Sequence, residues 1–329
     1  MAEMLIPLTP VPDMAYSGMA RPGFPKTLRE FRERFAGEDA CYEYLIQSRW
    51  PDGMTCPRCQ GLQFWRRRRR WLHQCKECGV EVSPTAGTVL QDSHMPIREW
   101  FWAAYLVATH TPGLSAKQLQ RQLGCSYKTA WYMLHRLRRA MVNEARSPLQ
   151  GVVEADETII GGPVVGLTGR GVTAAKSKTL VLGGVEVLRW QEKTGGWRER
   201  AGRLRLATVA SADEESIGQF LRTHVAAGTT IRTDGWRGYS QSALSGYHHV
   251  ALPRQNAPHI HRAFSNLKTW LLGTHHGVDP KYLSNYLDEY VFRFNRRNTP
   301  MAAFQTLLGL TGARKPIGYR ALTAPVSKG

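Results

Sequence analysis

The sequence predicts a multidomain α+β protein, and three observations carry that prediction. Four cysteines fall into two pairs, CPRC and CKEC; a strongly helical stretch follows them; beyond residue 150, strand-like and helical segments alternate. The 329 residues suffice for about two or three domains. With 42% hydrophobic residues and 10% aromatics, they can bury a real core.

Residues 1–49 read as a leader and an N-terminal helix. The first stretch is rich in proline and lacks a basic segment followed by an apolar core, so a signal peptide is not expected. From Thr27 to Gln47, charges alternate with Leu28, Phe31, Phe35, Tyr42, Leu45 and Ile46, giving a helix broken near Gly37.

Residues 50–92 carry the strongest motif. Cys56, Cys59, Cys75 and Cys78 follow a C-x2-C-x15-C-x2-C spacing, which lets two tight turns present four thiolates to one tetrahedral Zn²⁺. A zinc ribbon is expected, with strands at 63–66, 70–74 and 80–83. Between the pairs run Arg66, Arg67, Arg68, Arg69 and Arg70, with Trp65 and Trp71 at the ends. A metal-stapled ribbon holding out five arginines suits a polyanion. The two cysteines left over, Cys41 and Cys125, read as reduced core thiols, which points to a reducing cytosol.

Residues 93–147 turn helical. Ile97, Trp100, Phe101, Ala104 and Tyr105 recur at helical spacing until Thr111-Pro112-Gly113 stops the run. Ser115 then caps a short helix ending at Leu123, Gly124 turns, and a second helix runs from Ser126 to Met141. This is a helix-turn-helix-like layout, whose second helix enters a DNA major groove by its N-terminal end. Tyr127, Lys128 and Arg136 are the candidate DNA contacts there. An ordinary helical hairpin is the competing reading.

Residues 148–310 read as an α/β domain with strands at 151–160, 179–188, 203–210 and 229–233. Helices are expected at 212–226, 260–272, 281–297 and 300–309. The glycine-rich piece 161–178 holds no phosphate-loop signature and reads as an insert or basic loop. Residues 311–329 form a basic tail; no acidic residue follows Glu289. No run of eighteen apolar residues exists, so no membrane span is expected. The formal charge of +18 and pI of about 10.0 favour nucleic acid as partner.

Two aspartates stand out chemically. Asp156 sits late in the strand VVEADETIIGG with Glu154 and Thr158 on its face; Asp234 opens an Asp-Gly-Trp turn after a short strand. A carboxylate inside an apolar strand is costly unless a cation or hydrogen bonds compensate it. Two such groups at neighbouring strand ends can share a hard divalent metal. Ser265 and Tyr239, the conceivable covalent nucleophiles, lack a surrounding cluster of arginines and histidines.

The phrases YLIQSRWPDGMTCPRC, CKEC, SPTAGTVL, VEADETIIGG, TDGWRGY, HRAFSNLKTWLLGTHHGV and LDEYVFRFNRR occur in that order. With them the chain resembles the bacterial insertion-sequence transposases that join an N-terminal zinc ribbon to a DDE-type, ribonuclease-H-like catalytic domain. The resemblance spans about Glu38 to Arg297. It implies Asp156 and Asp234 as the first two catalytic acids. The family's third acidic position lies seven residues before a lysine that precedes Gly-Thr. Lys268 and Gly273-Thr274 set that register, which puts His261 at the third position; Asn266 and Asp279, either side of Lys268, are the other candidates. On one helix His261, Ser265 and Lys268 would share a face. The resemblance further implies Mg²⁺ or Mn²⁺ at the catalytic site beside structural Zn²⁺, with double-stranded DNA as partner (terminal inverted repeats and target). A homo-oligomer in the cytoplasm, associated with the nucleoid, is implied as well. A zinc-ribbon DNA-binding regulator without catalysis, and a ribonuclease-H-fold nuclease that cuts without joining, are the rival functions.

Overall fold

The computed structural model describes residues 23–67, 71–142, 146–161, 178–192, 194–253, 257–313 and 318–323. The chain divides into two compact units, one holding the segment up to His110, Ala116–Ala145 and Asn298–Ala324, the other Thr111–Ser115 and Arg146–Arg297.

In the first unit, helix α1 (Leu28–Arg34) begins where the Thr27 side chain accepts the Glu30 N–H, and Gly37 separates it from α2 (Glu38–Arg49). Three short strands, β1 (Phe64–Arg67), β2 (Leu72–Cys75) and β3 (Glu81–Val82), pair antiparallel in that order. Helix α3 (Ile97–Thr109) has no capping side chain at Pro96; instead Glu38 accepts the N–H groups of Ile97 and Arg98, each at 3.1 Å. Helices α4 (Ala116–Leu123) and α5 (Tyr127–Met141) flank Gly124, whose φ of 62° needs the left-handed region. Ser126 caps α5 by accepting the Thr129 N–H at 3.0 Å. Ala130, Met133, Leu134, Leu137 and Met141 are buried, as the periodicity predicts.

The core of this unit is aromatic. Phe35 packs edge-on against Tyr44 and Phe101, with centroids 5.3 and 5.0 Å away. Phe304 meets Phe31 at 5.8 Å and Phe101 at 6.3 Å. Phe304 lies on the helix Pro300–Ala313, which the sequence reading assigned to the α/β domain. Its apolar side is satisfied in the first unit instead, so the α/β domain ends near Arg297 rather than 310.

The second unit is built on a five-stranded sheet in the order β6-β5-β4-β7-β8. Strands β4 (Val152–Ile160), β5 (Thr179–Gln191) and β6 (Trp197–Val209) form an antiparallel meander. Strand β7 (Thr230–Thr233) joins the other edge of β4 in parallel, and β8 (His248–Ala251) joins β7 likewise. The helix Glu214–His224, here α6, connects β6 to β7 and covers one face with Ile217, Phe220 and Leu221 against Val153, Ala155, Leu182 and Ile231. The helix Pro258–His275, α7, and the helix Leu283–Phe294, α8, cover the other face against Val181, Val185 and Leu204. Strand β8 escaped sequence reading because all four of its residues are exposed, leaving no alternation to detect. The helix Pro300–Ala313 is α9, and a short α10 (Tyr319–Thr323) falls within the expected tail.

Side chains alternate across β4. Val153 and Ala155 face α6, so Glu154 and Asp156 face α7. Opposite Asp156 on β5 stands Gly183. A Cβ there would lie 2.7 Å from the Phe264 ring of α7 and 3.0 Å from Ile260. Glycine therefore lets α7 settle close to the sheet beside Asp156. Gly183→Ala should cost about 1–3 kcal/mol through overpacking and lower the thermal midpoint of the protein; an unchanged midpoint would mean that the helix is not seated on this glycine.

Candidate functional site

Helix α7 lacks a side-chain cap of its own, since Ala257 stands at its N-cap. Glu154 supplies the missing acceptor from β4. Its carboxyl is fully buried and takes the backbone N–H of His259 at 2.8 Å and of Ile260 at 3.0 Å, with His259 Nδ1 at 2.8 Å. Three donors compensate one buried charge, and removing the acceptor would strand them.

In the same first turn, His261 Nε2 lies 3.0 Å from Asp156 Oδ2. The other Asp156 oxygen accepts the Glu157 backbone N–H at 2.9 Å. Strands β4 and β7 pair in parallel, the last pair being Glu154 with Arg232; Asp234 follows just past the end of β7, and its charge acts on Asp156. Asp234 also does the work of a turn residue: its Oδ1 accepts the Trp236 N–H at 2.9 Å, and Gly235 adopts a φ of 77°. Thr233, next to it, is held by His249 Nε2 at 2.9 Å.

A further carboxyl, Glu157, belongs to this neighbourhood and was not singled out in the sequence. Because alternation sends it to the opposite face from Asp156, strand pattern alone gave no reason to group them. The buried Tyr239 hydroxyl donates to Glu157 Oε2 at 3.4 Å. Burial, then the charges of Asp156 and Asp234, push Glu157 up from 4.5 to about 7. Asp156 is also raised, chiefly by burial and further by Asp234, against the pull of its own Glu157 N–H and of His261. Tyr239 is driven well above its usual range by burial and the same three carboxyls.

The result is a carboxylate-rich donor set whose mutual repulsion raises Asp156 and Glu157, with one imidazole nitrogen at hand. That chemistry fits a hard divalent cation; an imidazole ligand suits Mn²⁺ relatively better than Mg²⁺. Among the described residues, only the four cysteines bring three or more such donor atoms within 4.8 Å of one another.

Along α7, His261, Ser265 and Lys268 are all exposed. Offsets of four and three residues keep them on one helix face, whereas Asn266 is rotated by about 140° from His261. Asp279 caps its own short turn by accepting the Lys281 N–H at 3.0 Å. Of the three candidates for a third ligand, His261 is the one beside Asp156.

In the first unit, the sulfurs of Cys56 and Cys78, and of Cys59 and Cys75, lie 3.5 Å apart. The Cys56–Cys59 and Cys75–Cys78 segments close matching knuckles, with Gln60 N–H donating to Cys56 O and Gly79 N–H to Cys75 O. Gln60 takes a φ of 63° where its counterpart Gly79 takes 72°. Beside the knuckles, Tyr42 of α2 stacks on Trp71 at 4.5 Å, and Arg66 covers Trp71 at 4.0 Å. Arg67 is bonded to Gln74 and lies 3.5 Å from Glu81. Arg68, Arg69 and Arg70 lie outside the described residues, as does most of the 161–178 insert. At the start of α5, Tyr127 is half exposed and Lys128 is exposed, its ammonium 4.4 Å from the Tyr319 ring. Arg136 departs from the expectation of a DNA contact. It is buried, bonded to the Gln91 carbonyl and set against the Trp100 and Tyr132 rings, so its charge does not face solvent. No described helix is long and apolar enough to cross a membrane.

Residues 148–295 match the family described as ISXO2-like transposase domain, and residues 36–81 match the transposase zinc-ribbon domain. A protein of Halobacterium salinarum, described as an uncharacterized protein in transposable element ISH50, is 27% identical over 215 residues, covering 62% of this chain and 70% of that protein. The cysteine cluster and the matched zinc ribbon support a structural zinc.

Two outcomes follow from this geometry. Cys56→Ser should abolish stoichiometric zinc and unfold the ribbon, because structural zinc contributes on the order of 10–16 kcal/mol in small fingers; one zinc per chain retained in the variant, by metal analysis, would refute the site. For Glu157, the unfolded chain releases its proton first, so this residue lowers stability as pH rises from 4.5 to about 7. Glu157→Gln should therefore melt higher than the parent at pH 8 and alike below pH 4; equal melting at both would remove the charge crowding.

Proposed function

We propose that this chain, a member of the insertion-sequence transposases in which a zinc ribbon precedes an ISXO2-like transposase domain, binds the ends of its element and catalyses DNA cleavage and 3′-hydroxyl strand transfer. The observation that carries the reading is the meeting of His261 and Asp156 at 3.0 Å, and the effect of the Asp234 charge on Asp156 supports it. The sheet order supports a ribonuclease-H-like domain: an antiparallel meander, then two parallel strands added beyond the first strand, with helices on both faces.

Asp156, Asp234 and His261 would hold Mg²⁺ or Mn²⁺, which when bound supplies Lewis-acid stabilisation of the attacking and leaving oxygens. Glu154 fixes the first turn of α7, so His261 meets Asp156 without reorganisation. Lys268, two turns further on the same exposed face, contacts a backbone phosphate and positions the strand. In the first reaction, a water oxygen bonds to phosphorus as the bond to the 3′-oxygen breaks, leaving a free 3′-hydroxyl. In the second, that hydroxyl loses its proton and its oxygen bonds to a target phosphorus, releasing the target's own 3′-oxygen. The zinc ribbon and the α4–α5 pair, read as a helix-turn-helix, bind the terminal inverted repeats. The two ends are acted on as a pair, so the working form is a homo-oligomer, in the cytoplasm on nucleoid DNA.

The test is divalent-metal-dependent nicking of duplex DNA carrying the element's ends, followed by joining of pre-cut 3′-hydroxyl ends. Asp156→Ala and Asp234→Ala should each reduce both reactions by at least about 10³-fold. Variants that cut as well as the parent would overturn the assignment, and cutting without joining would leave a nuclease.

A further inference from the structure

Past the first paired residue of β4, strands β5 and β6 continue as a ribbon of their own. Val187 to Gln191 pair with Ala201 to Trp197, and β4 pairs no further along β5 than Glu186. A two-stranded ribbon is marginally stable in water and normally has something to cover it. This one instead exposes three large apolar side chains, Leu188 at 43%, Trp190 at 43% and Trp197 at 58%. Cross-strand partners share a side, so Leu188, Trp190, Arg198 and Arg200 occupy one side of the ribbon, and Arg189, Glu199 and Trp197 the other. Each side thus carries an indole with a guanidinium nearby: Arg200 lies 5.8 Å from Trp190, and Arg189 lies 4.4 Å from Trp197.

We infer that this β5–β6 ribbon is a DNA-binding arm that enters the major groove of duplex DNA beside the catalytic site. The inference rests on the transposase reading and adds a contact surface to it. A two-stranded β-ribbon is one of the two elements that a major groove admits. Exposed indoles with flanking arginines suit base edges and phosphates, and a polar, charged face of this kind would suit a protein core poorly. Between Val187 and Ala201 the sequence holds four cations and two carboxylates. Those carboxylates do not block the fit. Glu192 holds Arg198 at 2.8 Å in an exposed pair weak enough to yield to phosphate. Glu199 is held chiefly by Arg232 of β7 at 3.3 Å, which offsets its charge and leaves Arg189, 4.0 Å away, available. Trp190 is seven residues along β5 from Gly183, the partner of Asp156. At the rise of an extended strand that is about 23 Å, so the arm grips the duplex about two-thirds of a turn from the scissile phosphate.

The experiment measures binding of the full chain to a fluorescent 40-base-pair duplex of arbitrary sequence by anisotropy, across a range of salt. Trp190→Ala with Trp197→Ala should weaken binding about tenfold. Arg198→Gln with Arg200→Gln should weaken it and reduce the slope of log affinity against log salt by roughly two, one per lost phosphate contact. Since all four side chains are exposed, both variants should keep the parent's circular dichroism and zinc content. If the parent binds the duplex and both variants bind equally well, the arm is refuted while the transposase reading stands. If variants bind normally but lose self-association in sedimentation velocity, the ribbon joins two copies of the chain and the inference is wrong. A parent that fails to bind duplex DNA at all would overturn the arm and the DNA reading together.

Discussion

A single buried carboxyl organises the second unit. Glu154 reaches from the central strand into the first turn of α7 and takes the N–H groups that the helix cannot satisfy itself. Every helix start leaves such donors, and their burial without a partner would be costly. Satisfying them from β4 does more than terminate a helix, because the same strand carries Asp156 two residues on and the same helix turn carries His261. Strand, helix and candidate site are thereby locked into one geometry. Gly183 contributes by absence, leaving room for Phe264 where a methyl group would intrude.

The first unit uses the same device. Glu38, at the start of α2, caps α3 from about sixty residues away, where Pro96 has no hydroxyl or carboxyl to offer. In both cases the helix is weakly capped by its own sequence, and a carboxylate from another element adds a bond that forms only in the folded arrangement. Such bonds favour one docking of helix on neighbour over its slipped alternatives, since a displaced helix would leave a buried charge and bare N–H groups.

Much of this was legible in the sequence. The cysteine spacing led to the knuckles, and periodic apolar residues located nearly every helix. Asp156 and Asp234 stood out because charge within an apolar strand, or just after one, needs a reason. Less legible were features that depend on which face a residue meets after folding. Glu157 looked like an ordinary neighbour of Asp156, yet Tyr239 and two carboxyls converge on it. Arg136 looked like part of a basic surface, yet its helical phase turns it inward onto Trp100 and a carbonyl. Strand β8 has no apolar alternation because no layer covers its side chains. Helix α9 was legible as a helix but not in its allegiance, because an apolar helix does not say which core it will complete.

That allegiance has a consequence for how the protein is born. Phe304 closes an aromatic cluster whose other members, Phe31, Phe35, Tyr44, Phe101 and Tyr105 among them, leave the ribosome far earlier. About two hundred residues separate Phe101 from Phe304, and at roughly 5–20 residues per second their translation takes about 10–40 s. During that interval the nascent front half carries an incomplete, greasy surface, while the segment that follows can already collapse by itself. Premature termination near Arg297 would therefore spare the sheet and cripple the amino-terminal half, the reverse of what linear order suggests.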